Sequence, residues 1–147
     1  MKALVLATLL LGLAVDGARA ADDRLVGPAK ARGPDMLVVS GTRVRLSGVQ
    51  PPEETKQCSS QDGVVPCADL GTATLSRLAG DGPVSCVKER RLGHGYFLGH
   101  CRVADGSDPA VALLELGLLQ PEPTTAPDAY VKAASVARAA HAGLWGG

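Results

Sequence analysis

Four cysteines, Cys58, Cys67, Cys86 and Cys101, constrain this chain more than any other feature. An even count in a chain that also carries an export signal implies two disulfides. Three pairings are possible. The expected one joins Cys58 to Cys67 and Cys86 to Cys101, because the first pair brackets a glycine-containing loop and the second falls on two neighbouring strands. A zinc site built from all four thiolates is disfavoured, since no pair has the C-x2-C spacing of structural zinc sites. His94, His100 and His141 are too scattered to build one either.

The export signal is residues 1–20. Lys2 gives a positive start, ALVLATLLLGLA at residues 3–14 is continuously apolar, and Ala18-Arg19-Ala20 has the small-x-small form that a signal peptidase reads. The apolar run is short for a bilayer span. The expected product is an exported protein, periplasmic or extracellular, without a membrane anchor. Cleavage takes two of 15 basic and one of 15 acidic side chains, which leaves a nearly neutral chain. Such a balance gives no global attraction to nucleic acid. Lys88, Arg90 and Arg91 form one local basic cluster. The remaining length suits one domain with a real core.

Residues 21–34 read as a loose polar leader. Met36–Val39 is β-prone, Ser40-Gly41 is a turn, and Thr42–Leu46 alternates, with Val44 and Leu46 inward and Arg43 and Arg45 outward. The double proline makes residues 48–53 a loop. Residues 54–66 read as a surface excursion, residues 68–79 as a helix stopped by Gly80, and residues 83–87 and 95–103 as strands, the second weakened by Gly99. Asp108 caps a helix opened by Pro109. Asp128 is expected to cap a final helix, Ala129 to Ala142, with Tyr130, Ala134, Ala137 and His141 on one stripe. Gly143 would end it, leaving Leu144-Trp145 as a plug. Aromatic residues are only 3% of the chain, so the core is aliphatic. The pattern implies an α+β domain, mainly β, built as a small barrel.

The run VRLSGVQPPE, Val44–Glu53, resembles the V-R-L-x-G-I-D-x-P-E signature of the staphylococcal nuclease (thermonuclease) family. Asp35–Val39 is similar to that family's D-G-D-T-φ-x-V segment, Cys67–Leu78 to its C-G-x-x-A…L helix, and Ala137-Arg138…Gly143-Leu144-Trp145 to its A-R-x-x-x-x-G-L-W ending. Cys86 and Cys101 match two cysteines of exported members. The resemblance spans roughly residues 33–147. It implies a five-stranded OB-type β-barrel with about three packed helices, beginning at residue 35.

The activity so implied is calcium-dependent hydrolysis of phosphodiester bonds in DNA and RNA. On the matching positions, Arg45 would grip a phosphate oxygen, Glu53 would act on the attacking water, and Asp35 would bind Ca2+. Gln50 stands where the second metal-binding aspartate belongs and brings no charge. Counting back from Cys101, Tyr96 stands where a second arginine belongs; a two-residue slip would put His94 there. Gly33, Pro34 and Met36 replace other members of the metal-binding segment. The reading is therefore a divergent, impaired nuclease acting on single-stranded DNA or RNA. The alternative is an inactive nuclease-like domain that serves as a secreted binding module for a protein or other partner.

Overall fold

A computed structural model of the chain describes residues 23–146. The leader and its cleavage site lie outside those residues. The fold is α+β. A six-stranded sheet contains β1 (Arg24–Gly27), β2 (Ala29–Gly33), β3 (Met36–Val39), β4 (Thr42–Leu46), β8 (Val84–Arg91) and β9 (Tyr96–Arg102), in the order β1-β8-β9-β4-β3-β2. All pairs are antiparallel except β4 with β9. Two minor ribbons accompany it: β5 (Val49–Gln50) with β10 (Gln120–Pro121), and β6 (Gln57–Ser60) with β7 (Gly63–Pro66). The helices are α1 (Cys67–Ala79), α2 (Pro109–Glu115) and α3 (Asp128–Ala139), followed by a 3-10 turn at Gly143–Trp145. No described helix is long and apolar enough to cross a membrane.

The sheet's two edge strands, β1 and β2, are consecutive in the chain and separated by Pro28 alone. One residue cannot cross a flat sheet of six strands spaced about 4.8 Å apart. The sheet must therefore curl until its edges approach each other. The turn after β3 secures the meeting point: Ser40 N–H donates to Pro28 O at 3.0 Å and Ser40 Oγ donates to Val26 O at 3.3 Å. Proline has no N–H for a ladder, which is why the strand breaks there. Gly99 serves the same curvature from the middle of the sheet. A Cβ on it would lie 2.5 Å from Val87 O, so this residue lets β9 approach β8 closely and is more than a weak point in a strand.

The core fills the concave side. Leu37, Val44, Leu46, Val84, Leu113 and Leu114 are all buried. Val44 and Leu46 point inward and Arg43 and Arg45 outward, as the alternation requires. Both disulfides form as expected, Cys58–Cys67 anchoring the β6–β7 ribbon to α1 and Cys86–Cys101 joining residues directly opposite on β8 and β9.

Several expectations need correction. Residues 24–33 are two paired strands instead of a loose leader, so the packed body starts before residue 35. Apart from Leu25 and Val26 their side chains are small or charged, and none of them is fully buried, which hid the alternation. The loop at 48–53 contains β5, and the excursion at 54–66 is a hairpin. Strand β8 runs on to Arg91 because it stays paired with β9 past the core. Asp108 does cap α2, accepting from Ala110 N–H at 2.9 Å, but Asp128 is the first residue of α3 and Pro127 occupies the cap.

Helix α3 also stops earlier than expected. Ala142 N–H donates to Ala137 O at 2.9 Å and His141 N–H to Arg138 O at 3.2 Å. This is the six-to-one and five-to-two pattern of a Schellman ending. It puts His141 in the left-handed region at φ 50°, exposed, and off the helix stripe. Gly143 then opens the 3-10 turn instead of ending the helix.

Candidate functional site

Arg45 leaves the convex side of β4 beside Leu98 of β9, its register partner. It lines a groove of about 480 Å3 with Ser47, Glu89, Arg90, Leu98 and the turn that carries Glu122 and Thr125. Asp35 sits in the turn between β2 and β3, where its neighbour Met36 is the register partner of Arg45. That register delivers the pair: Arg45 Nε lies 3.3 Å from Asp35 Oδ2. The Asp35 side chain is only 6% exposed, and the Arg45 side chain 49%. Among the described residues Asp35 Oδ2 has no hydrogen-bond partner. Burial raises the Asp35 pKa above its usual value, and the Arg45 charge offsets this only in part.

The sign of the resulting pH dependence follows. A carboxyl with a raised native pKa holds its proton more tightly in the folded than in the unfolded chain. Its contribution is full below pH 3.8, the ordinary value, and is lost as the pH rises through the native value. Asp35→Asn is therefore expected to gain stability over the parent at pH 7 and to lose that advantage at pH 3. Urea unfolding at both pH values checks this; an advantage of equal size at both would contradict it.

The other expected site residues are not gathered around Arg45. Gln50 is exposed on β5, paired with Gln120. Glu53 is exposed beyond the two prolines, where its carbonyl accepts from Lys56 N–H at 3.0 Å. Neither side chain lines the Arg45 groove. Tyr96 pairs in register with Arg43 and engages it directly: its hydroxyl accepts from Arg43 Nη1 at 2.5 Å and the guanidinium stacks 4.5 Å from the ring centre. Together with Arg32 and Met36 they line a separate hollow. His94 is exposed at φ 47° in the turn between β8 and β9.

The donor set does not fit calcium. Asp35 faces a guanidinium, Gln50 is neutral and exposed, and among the described residues no group of three or more His, Cys, Asp or Glu side chains is placed to hold a metal ion. A hard cation of this size wants six to eight oxygens, several of them charged.

Two features of the groove had no sequence signal. Glu89 sits where the β8–β9 register shifts, and it bridges two partners. Its Oε2 accepts from Ser47 Oγ at 2.7 Å, and its Oε1 lies 2.6 Å from His100 Nε2. Glu122 Oε2 accepts from both the N–H and the hydroxyl of Thr124 and Thr125, at 2.7–2.9 Å. The Thr125 and Thr124 bonds hold the Glu122 pKa down to about 2. The spacing E-x-T-T favours such a turn, but nothing in it points to the groove.

No protein-family model matches the chain. It is 30% identical over 127 residues to "Succinoglycan biosynthesis protein ExoI" of Rhizobium meliloti (strain 1021), an alignment covering 85% of this chain and 66% of that protein. The chain thus spans just under two thirds of this relative's length.

Proposed function

We propose that this chain is an exported, thermonuclease-like domain of OB type whose phosphodiester hydrolysis is impaired. Counting β1 and β2 as one strand broken at Pro28 leaves five strands in a curled sheet, which suits a five-stranded, partly open barrel. Two disulfides suit an oxidising compartment. The observation that carries the functional reading is the Asp35–Arg45 pair. Two positions that the resemblance assigns to the site come together, with the arginine half-exposed in a groove. Arg45 offers a forked donor to a phosphate. The water-activating Glu53 and a metal-binding carboxylate set do not accompany it.

The domain accordingly keeps phosphate contact and lacks most of the hydrolytic machinery. Single-stranded DNA is the test ligand. Fluorescence anisotropy at low salt should give a dissociation constant about tenfold weaker for Arg45→Gln, the loss of one charge-assisted contact. Equal affinity for parent and variant would sink the reading of Arg45 as a phosphate contact.

A second reading takes its support from the relative's name. Under it the domain is a non-catalytic binding module in a biosynthetic process such as succinoglycan biosynthesis. Succinoglycan that displaces single-stranded DNA from the protein would favour this reading, and DNA binding indifferent to succinoglycan would count against it.

A further inference from the structure

A cavity of about 720 Å3 lies elsewhere on the convex side of the sheet. Its floor follows from strand register. Arg24, Val87 and His100 are partners across β1, β8 and β9, and Val26, Ser85 and Arg102 form the next row but one. Residues two apart on a strand share a face. The row between, Leu25, Cys86 and Cys101, faces the core. Arg24, His100 and Arg102 therefore project outward together. The opposite wall comes from the starts of α2 and α3: Asp108, Val111, Ala129 and Tyr130.

The charges in this cleft are unequal in their freedom. Asp108 is already committed, with Oδ1 on Ala110 N–H at 2.9 Å and Oδ2 on the Tyr130 hydroxyl at 2.6 Å. Among the described residues neither Arg24 nor Arg102 has an ion-pair partner, and Arg102 Nη1 makes only a 3.4 Å contact with Gly106 O. Glu89 divides this cleft from the Arg45 groove, touching Ser47 on one side and His100 on the other.

We propose that this cleft is an oxyanion-binding site separate from the Arg45 groove, for a ligand that carries a phosphate or carboxylate on an apolar body. Two open guanidinium forks match such an oxyanion. Val87, Val111 and Ala129 offer apolar surface to the rest of the molecule, and the volume is in the usual range for a small-molecule site. A cation would be repelled by both arginines, and a neutral ligand would leave them unused.

The test uses phenyl phosphate, with benzyl alcohol as its neutral counterpart, followed by backbone amide NMR shifts. Phenyl phosphate should move Val87, His100 and Tyr130, and benzyl alcohol should not. The double variant Arg24→Gln/Arg102→Gln, both exposed positions, should bind phenyl phosphate at least tenfold more weakly with the rest of its spectrum retained. Arg45→Gln should bind it at this cleft as the parent does, which separates this site from the phosphate contact proposed above. Parent-like binding by the double variant, no shift at the three reporter residues, or equal shifts with benzyl alcohol would each overturn the proposal.

Discussion

Gly117→Ala is expected to destabilise the fold by about 2–5 kcal/mol, from a left-handed backbone penalty of about 1–2 kcal/mol and overpacking of about 1–3 kcal/mol. Gly117 follows α2 at φ 68°. Its N–H donates to Leu114 O at 3.1 Å and the next N–H, of Leu118, to Leu113 O at 2.8 Å. That is a Schellman ending with glycine at the left-handed position. His141 shows that this backbone region alone can be tolerated by a side chain. Gly117 differs because the C-terminal turn packs on it. A Cβ would lie 2.2 Å from Ala142 O, and Gly117 O itself accepts from Leu144 N–H at 2.9 Å. Alanine would thus push the turn off α2 as well as strain its own backbone. Urea unfolding should show a lowered midpoint with an unchanged slope. A loss under 1 kcal/mol would mean that the turn is not held at this point.

The double substitution Cys86→Ala/Cys101→Ala is expected to cost about 3 kcal/mol, the loop-closure value for a cross-link of this span. The two cysteines are 15 residues apart, buried, and directly opposite on β8 and β9. The bridge restricts the unfolded chain at the β8–β9 pair of the curled sheet, and its sulfurs are also core. Thermal unfolding of the parent in oxidising and reducing buffer, beside the variant, checks this. The reduced parent, in which Cys58–Cys67 is open as well, should fall to the variant's midpoint or below it. An unchanged midpoint in both would show that packing alone sets the stability of this pair.

Much of the scaffold was legible because it is local. Val44 and Leu46 alternate with Arg43 and Arg45, so the strand and its outward arginine follow from period two. Asp108-Pro109 marks a helix start by its own chemistry. The cysteine pairing was legible for the same reason, since each pair lies within one hairpin or between a hairpin and the next helix. What escaped is non-local or disguised. The Val49–Pro121 pairing links distant segments through two short strands, one of them ending in proline. In β1 and β2 the inward positions are largely Ala and Gly, too small to stand out. The charged end of β8 looks like a loop until its partner is known.

The candidate site was legible only in part. Asp35 and Arg45 meet because a tight turn and a two-strand register bring them together, and both are visible in the chain. Tyr96 belongs with Arg43 because β4 and β9 run parallel, an arrangement no local pattern reveals. Glu89 reaches Ser47 and His100 because the ladder shifts beside it, and a register shift has no residue signature here. Gln50 and Glu53 are site residues by resemblance alone; the pairing of β5 with β10 sets the position of Gln50, and the two prolines after it direct the chain to Glu53.

Cleavage of single-stranded DNA, with calcium and with EDTA, by the parent protein and by Glu53→Gln decides whether this domain hydrolyses phosphodiesters. The parent rate in calcium should stay within about tenfold of both the EDTA control and the variant, because the carboxylates needed for metal-assisted attack are not assembled around Arg45. A positioned catalytic group typically contributes about 10²–10³ or more. Calcium-dependent cleavage hundreds of times faster than the EDTA control, abolished in Glu53→Gln, would contradict it and establish a working nuclease.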